Sequence, residues 1–108
     1  MASTDIAEVF NEMPAAFNPS AAEGLDAVIQ YDITGDGGGG WYVTIKDGGC
    51  LVGEGTHGSP TVTLTMSTKT WLAIVNKETS GMSAFMSGRL QVGGDMMLAQ
   101  RIEQLFPS

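Results

Sequence analysis

The strongest structural signal in the sequence is TVTLTMS, residues 61–67. Hydrophobic residues alternate here with threonines, and this period of two is typical of a strand that is buried on one face. The hydrophobic residues are Val62, Leu64 and Met66. Ser67 is then a favourable N-cap residue for a helix that carries Trp71 and Val75. The segment therefore predicts a strand that runs directly into a helix.

Upstream of this segment, the sequence predicts three more strands joined by turns. Hydrophobic and polar residues alternate in residues 25–34 and again in 41–46, as in half-buried strands. A glycine run at 35–40 separates these two segments, and Asp47-Gly48 makes a tight turn after the second. A short third strand is predicted from Cys50 to Glu54.

Downstream of the segment, helices surround a fifth strand. A polar connection over 76–80 precedes a short helix over 82–86, and the strand carries Leu90 and Val92 before the turn at Gly93-Gly94. Asp95 is the predicted N-cap of the last helix. The residues that this helix is expected to bury are Leu98, Ala99, Ile102, Leu105 and Phe106.

A first helix is predicted from Thr4, because hydrophobic residues recur at helical spacing between Ile6 and Phe17, with Pro14 limiting its regular part. The order of elements places one sheet beneath a layer of helices, an α+β fold. No internal repeat or linker is visible, and we expect a single domain over residues 1–108.

Composition restricts the classes of partner. Twelve acidic residues against five basic ones give a formal net charge of −7, which opposes the phosphate contacts of nucleic-acid binding. No Lys/Arg cluster supports adhesion to an anionic membrane. No apolar run approaches the roughly 20 residues of a membrane span, and no signal peptide is recognisable. We expect a soluble protein without a nucleic-acid partner or stable membrane insertion.

The sequence offers few groups for chemistry. Cys50 is the single cysteine, so it cannot form an internal disulfide, and one cysteine with one histidine cannot assemble a structural zinc site. Glycines at 35–40 and 53–58 have dinucleotide-fingerprint spacing, but each set leads into a strand instead of a helix. Residues from Asp32 resemble the start of a calcium loop whose twelfth position is Val43 instead of glutamate. We expect no cofactor and no metal ion.

A nucleophile and base are conceivable in one place only. His57 lies in a glycine-rich loop, with Glu54 and Cys50 upstream. A single loop histidine is usually solvated, and no nucleophile elbow or phosphate loop is present. The sequence therefore predicts no catalytic residue and a non-enzymatic protein.

The seven methionines are unusual in a chain of this length. Methionine packs flexibly around irregular apolar shapes, both in cores and in promiscuous binding surfaces. Five of them lie on the predicted fourth strand, the short helix and the last helix: Met66, Met82, Met86, Met96 and Met97. A loose core and a ligand cavity both remain open from this pattern.

Several motifs together resemble a known family. Residues 84–96 read AFMSGRLQVGGDM. Further matching motifs are Asn18-Pro19, Ile33-Thr34-Gly35, Trp41-Tyr42-Val43 with Lys46-Asp47-Gly48, and Thr63-Leu64-Thr65-Met66-Ser67. Across almost the whole chain, these motifs resemble the sterol carrier protein type 2 family, the nonspecific lipid-transfer proteins and their microbial relatives.

The resemblance implies a fold and a ligand class. It implies a five-stranded mixed, mostly antiparallel sheet covered on one face by helices. An apolar tunnel between the layers would accept a fatty acid, a fatty acyl-CoA, a sterol or an isoprenoid. By the same resemblance the lipid-binding residues are Val43, Ile45, Met66, Trp71, Val75, Phe85, Met86, Met96, Met97, Leu98, Ile102, Leu105 and Phe106. Plain core packing by the same residues is the alternative.

Two departures limit what the resemblance carries over. Gly81-Met82-Ser83 stands where the family often has Asn-Pro, so the tunnel mouth and the ligand preference are not transferred. Peroxisomal relatives end in a small-basic-leucine signal, whereas this chain ends in Phe106-Pro107-Ser108, so we expect a cytoplasmic location.

Three other functions stay open. The domain could be an accessory module that serves a lipid or quinone enzyme without free lipid transfer. It could be a small enzyme acting on a lipid thioester through Cys50 or His57. It could also form a homodimer, with its groove filled by its own side chains.

Overall fold

A computed structural model describes residues 6–35 and 37–106, apart from the side chain of Glu103. Within these residues the fold is α+β, as predicted. The helices are α1 (Ile6–Ala16), α2 (Thr68–Val75), α3 (Gly81–Met86) and α4 (Met96–Leu105), with a short 3-10 helix at Pro19–Ala22. The strands are β1 (Ala27–Thr34), β2 (Gly39–Lys46), β3 (Gly49–Glu54), β4 (Val62–Ser67) and β5 (Leu90–Gly94).

The strands form one mixed sheet in the order β3-β2-β1-β4-β5. Strands β1 and β4 pair in parallel, and every other neighbouring pair is antiparallel. This confirms the predicted mixed, mostly antiparallel sheet. β1 is the central strand, and consecutive residues such as Gln30 and Tyr31 are both buried, so segments cover this strand on both faces of the sheet.

The register aligns a row of apolar side chains beneath the helices. Tyr31 in β1 lies beside Trp41 in β2 and Leu64 in β4, and Leu64 lies beside Val92 in β5. Since side chains of a strand alternate between faces, every second residue of each strand joins this helix-covered face. The opposite face carries polar residues such as Gln30 and Thr63.

Both predicted N-caps are confirmed. The Ser67 side chain accepts a hydrogen bond from the Thr70 backbone N–H at 3.1 Å. The Asp95 carboxylate accepts from the N–H groups of Met97 and Leu98 at 2.9 and 3.1 Å. These side chains satisfy amide groups that the helix itself leaves unpaired, and thereby fix where α2 and α4 begin.

Several element boundaries differ from the sequence predictions, and β2, for example, begins at Gly39 inside the glycine run instead of at Trp41. α1 continues two residues beyond Pro14, to Ala16, so the proline does not limit it, and its predicted start at Thr4 lies outside the described residues. β1 begins at Ala27, because the 3-10 helix is closed by a hydrogen bond from the Leu25 N–H to the Ala22 carbonyl. Gly93-Gly94, predicted as a turn, belongs to β5 and pairs with β4.

An aromatic cluster holds α1 and α2 on the sheet. The fully buried Phe10 ring stacks on Trp41 and on Trp71, each with centroids 5.0 Å apart. Its edge contact with Tyr31 has centroids 5.2 Å apart. Stacked and edge-on contacts stabilise such rings beyond the burial of their surface. The cluster therefore fixes the orientation of Tyr31 and Trp71, which lie at the border of the space described next.

Candidate functional site

The larger of two neighbouring cavities lies among α1, α2, α4 and the α2–α3 connection, and its volume is about 730 Å³. Its apolar walls come mainly from α1, α2 and α4, and its polar rim comes mainly from the α2–α3 connection. The lining residues are Val9, Glu12, Met13, Ala16, Tyr31, Trp71, Ile74, Val75, Lys77, Thr79, Ser80, Gly81, Ile102 and Phe106. This volume lies within the range of about 300–1,000 Å³ that is usual for small-molecule sites.

The smaller cavity has a volume of about 170 Å³ and lies between β4, β5 and the helices α2, α3 and α4. Its lining is almost wholly apolar and includes three methionines. The residues are Tyr31, Leu64, Met66, Trp71, Ile74, Gly81, Met82, Phe85, Leu90, Val92, Met96, Ala99, Gln100 and Ile102. Flexible methionine walls adapt to irregular apolar shapes.

The two cavities share a wall formed by Tyr31, Trp71, Ile74, Gly81 and Ile102. They are therefore adjacent parts of one space between the sheet and the helices. At one end of this space the rim carries charged and hydroxyl groups, and at the other end it carries methionine and phenylalanine. Such a gradient of polarity fits an amphipathic molecule.

Two polar atoms in the shared wall are buried without a hydrogen-bond partner among the described residues. They are the Tyr31 hydroxyl and the Trp71 indole Nε1–H. Tyr31 is 1% exposed and Trp71 is 6% exposed, and their ring centroids lie 5.0 Å apart. A buried polar group left unpaired costs about 1–3 kcal/mol. Buried polar groups in proteins are nearly always hydrogen-bonded, so two unpaired groups on neighbouring residues call for a physical explanation.

The environment of Tyr31 disfavours negative charge. Burial raises the pKa of the Tyr31 hydroxyl above its ordinary value, and the neighbouring Cys50 raises it further. Burial costs the phenolate its hydration, so the neutral phenol persists throughout the physiological pH range. Tyr31 is thus an uncharged hydrogen-bond donor and acceptor in the cavity wall.

Helix α4 supplies Ile102 to both cavities and is tied to the 3-10 helix. The Asn18 N–H donates to the Leu105 carbonyl at 2.8 Å, and the Arg101 guanidinium donates to the Ala21 carbonyl at 2.8 Å. The Phe17 and Phe106 rings pack with centroids 5.6 Å apart. These contacts hold the outer wall of the cavities in place at the end of α4.

Seven of the thirteen residues expected to bind lipid line these cavities. Met66, Phe85 and Met96 line the smaller one, Val75 and Phe106 line the larger one, and two residues line both. The two shared residues are Trp71 and Ile102. The elements named by the resemblance therefore do meet around a common apolar space.

The other six residues lie elsewhere. Val43 and Ile45 are fully buried in β2 and belong to the hydrophobic core. Leu98 and Leu105 are buried in the core beneath α4. Met86 and Met97 are 79% and 76% exposed. None of the six lines either cavity. Strand alternation and helix periodicity predict which face of an element is covered, but they do not predict where the sheet and the helices separate to leave a cavity.

Several residues that line the two cavities were not predicted from the sequence. Leu64 and Val92 share a face with Met66, so the register of alternate residues could have identified them. Ile74 lies on the predicted helix next to Val75. No sequence pattern predicts the polar rim at Thr79 and Ser80, because the position of these residues depends on how the α2–α3 connection crosses the cavity.

Hydrophobic side chains are exposed around the outer end of the smaller cavity. Met82, Phe85 and Met96 line the cavity and are 53%, 41% and 41% exposed, and Met86 and Met97 are more exposed still. We call this group, all from α3 and α4, the methionine rim. Contiguous exposed apolar surface often marks a site where ligands or partners bind.

The groups considered for catalysis are separated by the sheet. Cys50 pairs with Ile45 on the helix-covered face, and partial burial raises the pKa of its thiol to about 11. His57 lies on the opposite face, where its ring packs edge-on against Tyr42 and its Nδ1 accepts a hydrogen bond from the Ser59 N–H at 3.0 Å. Cys50 and His57 therefore cannot act on one another.

The other candidate motifs have structural roles. The glycine run at 35–40 ends inside β2, which begins at Gly39, and Gly53 lies in β3, with Gly55 and Gly58 in the loop after it. Asp36 of the calcium-like motif lies outside the described residues. No group of three or more His, Cys, Asp or Glu side chains in residues 6–35 and 37–106 is placed to hold a metal ion. In the same part of the chain, no helix has the length and apolarity needed to cross a membrane.

The family model of the SCP-2 sterol transfer family matches residues 10–107. The chain is 29% identical to hydroxysteroid dehydrogenase-like protein 2 of Rattus norvegicus over 104 residues, which cover 93% of this chain and 19% of the rat protein. Among solved structures, palmitated SCP2L2 of Aedes aegypti superimposes with a TM-score of 0.78 at 27% identity, over 100% of this chain and 96% of the mosquito protein. These matches confirm the family resemblance and the predicted fold.

A third similarity concerns the fold alone. The sec-alkylsulfatase Pisa1 of Pseudomonas sp. superimposes with a TM-score of 0.80 at 18% identity, over 93% of this chain and 16% of that enzyme. The chain also spans only about a fifth to a quarter of the length of the hydroxysteroid dehydrogenase-like proteins that it matches. The same fold thus occurs both as most of a small protein and as a small part of larger ones.

Proposed function

The chain belongs to the SCP-2 sterol transfer family, and from this premise we propose that it binds and carries a lipid in the two cavities between the sheet and the helices. The observation that carries the proposal is the shared wall, which joins a cavity of about 730 Å³ to a methionine-lined one of about 170 Å³. The mosquito relative solved in palmitated form supports the same ligand class.

The driving force would be burial of the lipid tail. A tail of about 16 carbons gains on the order of 10 kcal/mol when its methylenes leave water, before the costs of ordering and association are subtracted. A fatty acid, a fatty acyl-CoA, a sterol or an isoprenoid each presents such a surface. Because apolar walls discriminate little among apolar shapes, we expect broad specificity.

The two ends of the space would receive different parts of the ligand. A charged head group is costly to bury without a partner, so it would stay at the polar rim of the larger cavity, near Lys77, Thr79 and Ser80. The tail would extend past Ile74 and Ile102 toward the methionine rim. Of the residues expected from the sequence, we propose that the seven cavity-lining ones contact the lipid and that the remaining six support the wall or lie outside it.

We propose that the domain itself is non-catalytic. Cys50 is held as a thiol by the burial that raises its pKa to about 11, and His57 is on the far side of the sheet. Substituting Cys50 by alanine or His57 by glutamine should leave lipid uptake unchanged. Release of free coenzyme A from an added acyl-CoA would contradict a purely carrying role.

The direct test is native mass spectrometry of the purified protein before and after addition of palmitate, palmitoyl-CoA or cholesterol. We expect adducts of one lipid per chain. Ile102→Trp should reduce lipid uptake at least tenfold, because the larger side chain fills the wall that both cavities share. The matched control is Gln104→Trp, which places the same side chain on an exposed position of the same helix.

The outcomes separate clearly. Uptake by the wild type and Gln104→Trp, with loss in Ile102→Trp, supports binding in the cavities. Equal uptake by all three places the lipid elsewhere. If the wild type takes up none of the lipids, lipid carriage is wrong and the accessory function below becomes the better account.

The exposed methionine rim favours one second candidate, an accessory module for a lipid or quinone enzyme. In this role the rim would contact an enzyme and the cavities would present its substrate instead of carrying lipid freely. The long relatives, of which this chain matches about a fifth to a quarter, are consistent with such a partnership. A Met86→Ser/Met97→Ser variant that keeps lipid uptake but loses a copurifying enzyme would support it.

A further inference from the structure

We infer that residues 78–87, which contain α3, form a lid that swings away from the sheet and admits the lipid tail directly into the smaller cavity. The inference rests on the proposed function and adds an entry route to it. Its basis is that α3 supplies part of the wall of both cavities and yet is held on the domain by one buried side chain, that of Ala84.

The wall that α3 forms is one side chain thick. Met82 and Phe85 line the smaller cavity, and the same two side chains are 53% and 41% exposed. Each of them therefore borders the cavity on one side and solvent on the other. Methionine is also unbranched and flexible, so it yields easily to a passing apolar chain. Displacing α3 would open the smaller cavity without moving any strand of the sheet.

Of the described helices, α3 has the fewest buried side chains. All of α3 is described, and only Ala84 in it is buried. By contrast, α1 buries four side chains including Phe10, α2 is held by Trp71, and α4 is held by Leu98 and Leu105. Stabilisation by burial scales with the apolar area removed from water, and elements with few buried contacts open locally before the rest. We therefore expect α3 to open while the other helices stay in place.

α3 can move as a unit, because its own neighbours in sequence cap both of its ends. The Ser80 hydroxyl accepts a hydrogen bond from the Ser83 N–H at 3.0 Å, and the Gly88 N–H donates to the Phe85 carbonyl at 3.2 Å. Left-handed backbone lies on either side of the lid, at Lys77 with φ 61° and at Gly88 with φ 81°. Hinges are commonly a few such residues at the ends of an element. We assign Lys77 and Gly88 as the two hinges.

The polar rim of the larger cavity is the alternative entry route. A tail entering there would pass Glu12, Lys77 and Ser80 before it reached the shared wall. Bringing an apolar chain against polar groups displaces the water that hydrates them, which costs free energy. A tail entering past the lid meets the apolar side chains of Met82 and Phe85 instead. The tail would therefore enter under α3 while the head group stays at the polar rim.

The experiment staples the lid shut in a Cys50→Ala background. Met86→Cys and Met97→Cys place one thiol on α3 and one on α4, at exposed positions that line neither cavity. Dithio-bismaleimidoethane joins the two thiols, and reduction of its internal disulfide releases them. In stopped-flow fluorescence with cis-parinaric acid, a fluorescent fatty acid, we expect uptake to be at least tenfold slower in the stapled protein than in the same protein after reduction.

A matched staple serves as the control. Ser20→Cys and Gln104→Cys, both at exposed positions, join the 3-10 helix to α4 with the same reagent. Because this staple leaves α3 free, the uptake rate should not change. Cross-linking is verified by mass spectrometry of the intact protein in both cases.

Hydrogen exchange of the wild-type protein gives a second readout that needs no variant. Ala84 and Trp71 each lie four residues after the serine that caps their helix, Ser80 or Ser67. If the lid opens by itself, the Ala84 amide should exchange at least tenfold faster than the Trp71 amide.

The results distinguish the lid from the proposed function. Slow uptake with the 86–97 staple alone, together with faster exchange at Ala84, supports the lid. If the 86–97 staple leaves uptake unchanged, if both staples slow it equally, or if Ala84 exchanges no faster than Trp71, the lid is wrong while lipid binding stands. If the wild type does not bind cis-parinaric acid at all, the proposed function itself is wrong and the lid falls with it.

Discussion

Two consecutive residues of the central strand, Gln30 and Tyr31, are each 1% exposed and face opposite sides of the sheet. The Gln30 Oε1 accepts a hydrogen bond from the His57 N–H at 2.8 Å, and its Nε2 donates to the Gly55 carbonyl at 3.1 Å. The Tyr31 hydroxyl has no partner among the described residues. Equal burial thus accompanies opposite degrees of hydrogen bonding.

The difference reflects what covers each face. The loop between β3 and β4 folds over Gln30 and brings its own backbone groups as partners, so this face is closed by the chain itself. Helices cover the Tyr31 face, and their backbone groups are already paired within each helix. What remains beside Tyr31 is apolar wall and cavity. The polar face thus supplies its own hydrogen-bond partners, whereas the Tyr31 hydroxyl on the cavity face has none among the described residues.

The largest expected change in stability concerns the face of the sheet that carries Gln30. Gln30→Leu keeps a similar side-chain volume but leaves the His57 N–H and the Gly55 carbonyl unpaired. We expect the free energy of unfolding to fall by about 3 kcal/mol, measured by urea denaturation. Gln91→Leu, an exposed glutamine on the same face, should change it by less than about 0.5 kcal/mol. Similar small losses in both variants would mean that the Gln30 contacts do not hold the loop.

The next effect has the opposite sign and concerns the cavity face. Tyr31→Phe removes an unpaired buried hydroxyl, so the lipid-free protein should become more stable by about 1 kcal/mol in the same assay. Tyr42→Phe should change stability by less than about 0.5 kcal/mol. If Tyr31→Phe instead destabilised the lipid-free protein by more than about 1 kcal/mol, the hydroxyl would have a partner within the protein, and the contrast with Gln30 would disappear.

The smallest effect tests whether charge is disfavoured on the cavity face. Partial burial raises the pKa of Cys50 from 9.0 to about 11. Between these values the unfolded chain loses its thiol proton before the folded one, so the stability contributed by Cys50 is present below pH 9 and is lost as pH rises toward 11. The stability difference between the wild type and Cys50→Ala should therefore shrink over this interval.

Unfolding curves of both proteins across that interval provide the measurement, and the difference between them cancels the titration of all other groups. A difference that stays constant or grows would show that Cys50 ionises as easily in the folded protein as in the unfolded chain.

The sequence predicted the sheet and the helix starts well, because these depend on local chemistry. Alternation in residues 61–66 predicted the faces of β4 as far as Met66, and Ser67 and Asp95 marked the starts of α2 and α4. The prediction that Pro14 limits α1 was wrong. A proline constrains the helical turn that precedes it, and α1 continues for only two residues after Pro14. Local rules thus succeed where the partners are neighbours in sequence.

The site itself was only partly predictable. Val43 and Met66 have the same alternating pattern, yet Val43 is packed in the core and lines neither cavity, whereas Met66 lines the smaller one. Which of them lines a cavity depends on the distance between the sheet and the helices. That distance is set by tertiary packing and produces no periodic pattern in the sequence. The family resemblance placed Met86 and Met97 in the tunnel lining, but short helices expose one side, and both residues lie on that exposed side.

The central claim is that a ligand occupies the space between the sheet and the helices. Isotope-filtered NOE spectra of the protein loaded with uniformly ¹³C-labelled palmitate test it most directly. We predict NOEs from the palmitate methylenes to the methyl groups of Ile74 and Ile102, which line both cavities. NOEs confined to the exposed methyl groups of Met86 and Met97 would contradict the account, because the lipid would then lie on the surface and the cavities would remain without it.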